Sequence, residues 1–155
     1  MVAPKQHLLI VYHSQSGHTE AASRAVEEGG VRQLSAKVSR MHASHVSAED
    51  LKHCRALVIC SPEYFGYMAG AVKDLFDRTY EEVRDAMSGK AYAVVVCAGN
   101  DGLGALASIE RIIKGFRMKK VQDHVICRGA VSTEDLSRCR ILGETLAAGI
   151  ELGIY

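Results

Sequence analysis

Directly after the apolar run His7–Tyr12 the chain reads Ser14-Gln15-Ser16-Gly17-His18-Thr19. Three hydroxyl side chains surround one glycine within six positions. Hydroxyls and backbone N–H groups are neutral donors, and glycine lets the backbone approach a ligand closely. A helix beginning here would aim the positive end of its dipole at the same point. The chemistry that suits these residues is the binding of a phosphate. No Lys or Arg lies between Lys5 and Arg24, so neutral donors would hold the anion. His18 could add partial charge near neutral pH. Plain helix capping by Ser16 or Thr19 is the simpler alternative, but it needs only one such residue. The sequence matches neither the GxxxxGK[ST] loop nor the GxGxxG fingerprint.

Two further segments carry the same kind of signal. Ser61-Pro62-Glu63-Tyr64-Phe65-Gly66 follows a second apolar run, and Tyr67 comes next. The chain has six Tyr, three Phe and no Trp, and three of these nine rings fall within four positions. Rings exposed there would stack on a flat ligand, cover the sheet end or form an oligomer contact. Ala98-Gly99-Asn100-Asp101-Gly102-Leu103-Gly104 follows a third run. Its glycines would let a flat ligand reach backbone amides. The alternative is a turn, with Asn100 or Asp101 capping the next helix.

Other chemistries fit less well. Five cysteines, an odd number without CxxC spacing, read as buried free thiols of a reducing compartment. No cysteine has an Arg six positions later, which a thiol phosphatase would need to bind phosphate and ionise the thiol. His42, His45 and His53 lack the further ligands of a zinc site and read as surface histidines. GxSxG is absent, so a Ser–His hydrolase has no support.

The elements that must position these loops show in the hydrophobic pattern. Continuous apolar runs at His7–Tyr12, Ala56–Cys60, Tyr92–Ala98 and Val121–Arg128 predict strands covered on both faces, as in a parallel sheet. The alternating run Ala36–Met41 predicts an edge strand. Between them, Met68, Ala71, Val72, Leu75, Phe76 and Thr79 form one helical stripe. Leu106, Ile109, Ile113 and Phe116 form another, and Leu136, Cys139, Leu142, Leu146 and Ile150 the last. A first helix is predicted over His18–Glu28, stopping at Gly29-Gly30. A short one over Ser47–His53 opens on a capping pattern. Five strands alternating with five helices predict a doubly wound α/β sandwich in one domain, residues 1–155. Ligands of that class bind beyond the carboxyl ends of the strands, where the loops above fall.

Composition agrees. The 155 residues are 48% apolar and 24% charged, and 19 Lys plus Arg against 18 Asp plus Glu give a net charge of +1. That balance offers no electrostatic reason to bind nucleic acid. No apolar run approaches the ~20 residues needed to span a bilayer, and no signal peptide is recognisable. The sequence therefore reads as cytoplasmic, with neither nucleic-acid nor membrane partners.

The loops also resemble a known family. Ser14, Ser16, Gly17 and Thr19 match the [ST]-x-[ST]-G-x-[ST] phosphate loop of flavodoxin-like FMN proteins. Ser61-Pro62-Glu63-Tyr64 with Gly66 resembles the flavin loop of NAD(P)H-dependent FMN reductases. Phe65-Gly66-x-Met68, then Lys73 and Phe76-Asp77-Arg78-Thr79, is similar to quinone reductases of the tryptophan-repressor-binding-protein type. The resemblance implies a flavodoxin-like three-layer sandwich with a five-stranded parallel sheet of order 2-1-3-4-5. It implies FMN as cofactor, its phosphate on Ser14–Thr19 and its ring between Ser61–Gly66 and Ala98–Gly104. It also implies NAD(P)H as electron donor and a quinone or similar small molecule as acceptor, with no acid–base residue assigned. A flavodoxin-type electron carrier is the alternative, and strongly acidic carriers of that kind differ from this nearly neutral chain. The chain has no room for the insertion that helps complete the site across subunits in those quinone reductases, so homo-oligomerisation stays open.

Overall fold

A computed structural model describes residues 7–33 and 37–155. The strands β1 (His7–Tyr12), β2 (Lys37–His42), β3 (Ala56–Tyr64) and β5 (Ala91–Ala98) run parallel in the order β2-β1-β3-β5. The far edge beyond β5 is shared by two short strands, β6 (Lys119–Lys120) and β7 (Val125–Arg128). Taken as one broken edge strand, these complete the flavodoxin-like order read from the sequence. Helices α1 (His18–Val31) and α5 (Thr133–Glu151) cover one face. Helices α2 (Ala48–His53), α3 (Gly70–Met87) and α4 (Leu103–Phe116) cover the other.

The period-two geometry of a strand explains why the runs had to be apolar throughout. In β1, Leu8 and Ile10 pack under α1 and α5, whereas Leu9 and Val11 face α3 and α4. In β5, Ala93, Val95 and Cys97 point to the first face and Tyr92, Val94 and Val96 to the second.

Four boundaries differ from the expectations. The edge strand starts at Lys37 and reaches His42, and Ala36 lies outside the described residues. β3 continues through Ser61-Pro62-Glu63-Tyr64 and turns back through β4 (Tyr67–Met68), so Met68 is a strand residue. The hairpin forms because both turn residues, Phe65 (φ 54°) and Gly66 (φ 69°), take left-handed backbone, the geometry that matches strand twist. Helix α1 runs through Gly29 and Gly30 instead of stopping there. These glycines are demanded by packing, Gly29 against the backbone of α5 and Gly30 against Leu8 and Val38.

The fourth difference is the split of the last strand. Val121–Arg128 does not run continuously, because the His124 side chain takes the place of strand backbone. The Val94 N–H donates to His124 Nδ1 at 3.2 Å, and His124 Nε2 lies 2.5 Å from Glu110 Oε1. A backbone N–H can only donate, so Nδ1 is the acceptor and Nε2–H donates to the carboxylate. His124→Ala would leave a buried strand N–H unpaired. Its expected cost is about 1–2 kcal/mol, read as a lower midpoint in urea unfolding with an unchanged m-value.

Candidate functional site

At the carboxyl ends of the parallel strands the loops converge on a cleft of about 310 Å³. Ser16, His18 and Thr19 come from the loop after β1 and the first turn of α1. Pro62, Glu63 and Tyr64 come from the end of β3, and Ala98 and Gly99 from the end of β5. Three segments more than thirty residues apart in sequence thus meet at the edge where doubly wound sheets bind ligands.

The loop after β1 is built to leave donors free. Ser14 Oγ accepts the Gly17 N–H at 3.1 Å, closing the turn. Gly17 then precedes α1 with φ 96°, and no side chain caps the helix. Neither Ser16 nor Thr19 acts as the simple cap that was the alternative. Helices α4 and α5, which begin at the same edge, are closed: Asp101 Oδ1 accepts the Leu103 N–H at 3.0 Å, Glu63 Oε2 accepts the Ala105 N–H at 3.0 Å, and Ser132 with Asp135 forms a capping box on α5. A carboxylate at a helix start occupies the place an anionic ligand would take. Helix α1 has unclaimed N–H groups opening on the cleft, and α4 and α5 do not.

Several expected site residues shape the cleft without lining it. The Ser61 hydroxyl is buried, accepting the Ala69 N–H at 3.0 Å and donating to the Pro62 carbonyl at 2.8 Å. A side chain on Gly104 would meet the Gly66 carbonyl oxygen, so the hairpin tip lies against the start of α4. Gly102, with φ 74°, packs on Ile126 and Val96. Gln15, Asn100 and Phe65 are exposed beside the cleft, outside its lining. The α3 segment Lys73 to Thr79 lies elsewhere: Lys73, Phe76 and Asp77 line a larger hollow of about 630 Å³ between α3 and α4.

Two lining residues went unrecognised in the sequence, Cys97 and Gly129. Gly129 follows β7, and all parallel strands end on one edge, so the loop after the last strand should have been counted with the others. Cys97 ends the buried face of β5 and is almost wholly enclosed. All five cysteines are free and buried, in agreement with the sequence reading. The neighbouring Cys127 and burial together hold the Cys97 thiol protonated, far above the ordinary thiol range. A protonated thiol is a poor nucleophile.

Residues 38–131, more than half of the chain, match the family described as NADPH-dependent FMN reductase. The chain belongs to that family. A flavodoxin of Aquifex aeolicus is 26% identical over 161 residues, covering 94% of this chain and 87% of the relative. Among solved structures, a flavodoxin from the domain Archaea superposes with TM-score 0.82 at 22% identity, covering 94% of this chain and 99% of that one. A flavodoxin, WrbA-like protein from Agrobacterium tumefaciens gives TM-score 0.79 at 20% identity, covering 95% and 98%. These structural likenesses establish the flavodoxin-like fold. Among the described residues no helix is long and apolar enough to cross a membrane, and no cluster of His, Cys, Asp or Glu could hold a metal ion.

Proposed function

We propose that this flavodoxin-like reductase domain binds FMN in the cleft and passes two electrons from NAD(P)H to a quinone or similar small acceptor. The observation that carries the reading is the open N-terminus of α1, approached by a left-handed glycine and facing the cleft. Its free N–H groups and the hydroxyls of Ser14, Ser16 and Thr19 fit a phosphate monoester without a cationic side chain. Pro62–Tyr64 on one side and Ala98–Gly99 on the other would hold the flat ring.

When bound, FMN supplies the redox chemistry, accepting hydride from the nicotinamide and delivering electrons to the acceptor. The chain's own residues bind and orient. The Glu63 carboxylate is held on the Ala105 N–H, fixing the end of β3 against α4. The hairpin tip packs on α4 through Gly104, so the ring-facing wall is rigid. The free thiols fit a reducing cytoplasm.

Flavodoxin relatives favour one alternative, an electron carrier with no NAD(P)H activity of its own. The test begins with quenching of FMN fluorescence by added protein. Anaerobic oxidation of NADPH and NADH by the FMN-loaded protein, with a soluble benzoquinone as acceptor, then separates the readings. Turnover supports the reductase; binding of FMN without turnover supports the carrier. A protein that leaves FMN fluorescence unquenched excludes both.

A further inference from the structure

Beside the cleft, on the side of the β2 edge, a row of rings runs outward from its wall. Tyr64 lines the cleft, and its ring stands edge-on to His13 with centroids 6.0 Å apart. His13 Nδ1 is 3.0 Å from His42 Nε2. His42 Nδ1 is reached by the Ser44 N–H at 3.2 Å and by the Ser44 hydroxyl at 2.7 Å. His13 follows β1, His42 ends β2, and Ser44 lies in the short 3-10 turn Ala43–His45.

Hydrogen-bond direction fixes the tautomers. The Ser44 N–H can only donate, so His42 Nδ1 carries a lone pair. The His42 proton is therefore on Nε2, where it donates to His13 Nδ1. As assembled, both imidazoles are neutral. An added proton has no place that keeps every bond. On His42 Nδ1 it would face the Ser44 N–H directly. On His13 Nδ1 it would force the His42 proton onto Nδ1, with the same result.

The surroundings also disfavour that charge. The third imidazole, His45, lies with its ring centroid 5.9 Å from that of His42. The Arg40 guanidinium sits 4.8 Å from the centroid of Tyr12, whose ring meets His42 edge-on, and it is paired with Glu27 of α1. Arg78 of α3 donates to the carbonyls of Ala43 and Val46 on either side of the turn and is paired with Asp74. Glu27 and Asp74 are thus each already matched by an arginine. Burial first, then His13 and His45, hold His42 below the ordinary imidazole range.

We propose that His13, held by His42 and Ser44, is a positioning residue for the Tyr64 wall of the cofactor cleft, and that it works only while the pair is uncharged. The inference rests on the FMN reading above and adds a pH limit to it. A group whose charged form is disfavoured in the assembled state contributes fully above its free value and is lost as pH falls through its lowered one. Cofactor affinity then weakens on the acid side.

The test is FMN titration by fluorescence quenching between pH 7.5 and 5, on the wild type, His42→Gln and His53→Gln. Gln offers one acceptor and one donor but does not titrate, and His53 is an exposed residue of α2 away from the row. Titration of the FMN phosphate is common to all three proteins and cancels in the comparison. The wild type and His53→Gln should lose about tenfold more affinity than His42→Gln for each pH unit below the titration of His42. Parallel slopes in all three proteins overturn the proposal while leaving the FMN reading intact. Failure of the wild type to bind FMN at pH 7.5 overturns both. Nitrogen-15 NMR of the cofactor-free protein gives an independent readout: His42 protonated on Nε2 supports the row, and His42 protonated on Nδ1 overturns it.

Discussion

Ser16→Asp should weaken FMN binding by about 100-fold, equivalent to ~2.8 kcal/mol, while riboflavin binding stays within about twofold of the wild type. Ser16 lines the cleft beside the open end of α1. An aspartate there brings a carboxylate to the place proposed for the phosphate. Like charges brought together at a binding surface cost several kcal/mol. The new carboxylate would also accept the first-turn N–H groups of α1 that the phosphate needs, as Asp101 and Glu63 do on α4. Riboflavin has the same ring and lacks the phosphate, so it reports whether the rest of the cleft survives. Added salt should shrink the FMN defect, because Ser16 is exposed and its replacement would be screened. Equal losses for FMN and riboflavin would mean that the variant damages the fold. No loss for either would remove the phosphate from this loop. Isothermal titration at two salt concentrations measures all of these.

The loop proposed for the phosphate stands out in the sequence because its signal is local. Hydroxyls, a glycine and the end of an apolar strand lie within a few residues, and the helix begins where the loop stops. The strand order and layers were legible for a related reason, since a strand buried on both faces cannot hide its composition. What the sequence concealed was contact between distant segments. Glu63 reads as one more polar loop residue until its carboxylate is seen on the N–H of Ala105. Gly104 reads as part of a ligand loop, but it is small because the hairpin carbonyl of Gly66 presses against it. His42 and His45 read as solvated surface histidines, yet His42 bonds to His13 from a neighbouring strand end. The split of the last strand was equally hidden, because an apolar run does not reveal that His124 will take the place of a carbonyl. In each case the determining partner lies 14 or more residues away, beyond the reach of local pattern.

The same blindness gave Gly29-Gly30 the look of a helix stop, and it yields the largest stability prediction. Gly143→Val should destabilise the protein by about 3 kcal/mol or more, at the upper end of overpacking costs. A Cβ on Gly143 would sit 1.9 Å from the Val26 carbonyl oxygen, and one on Gly29 would sit 1.9 Å from the Arg140 carbonyl oxygen. The obstacle in both cases is backbone of the facing helix, which cannot swing aside as a side chain can. Helices α1 and α5 therefore cross with their backbones nearly touching, one glycine from each side. Elsewhere, exchanging an exposed helical glycine for alanine gains about 1 kcal/mol of helix propensity. Here Gly29→Ala should lose more than that gain, for a net cost of about 1–2 kcal/mol. To fit either side chain the helices must separate, which uncovers Leu8, Ala22, Val26 and Leu146 between them and the sheet. The consequence also reaches the cleft. Helix α1 carries the open N-terminus at its other end, so a tilt about Gly29 moves the donors of Thr19 and its neighbours. Urea unfolding should show a lower midpoint with an unchanged m-value for both variants. FMN titration of the remaining folded fraction should show weaker binding for Gly143→Val than for His124→Ala, whose defect lies at the far edge of the sheet. A Gly143→Val protein as stable as the wild type would mean that α1 and α5 do not cross at these glycines.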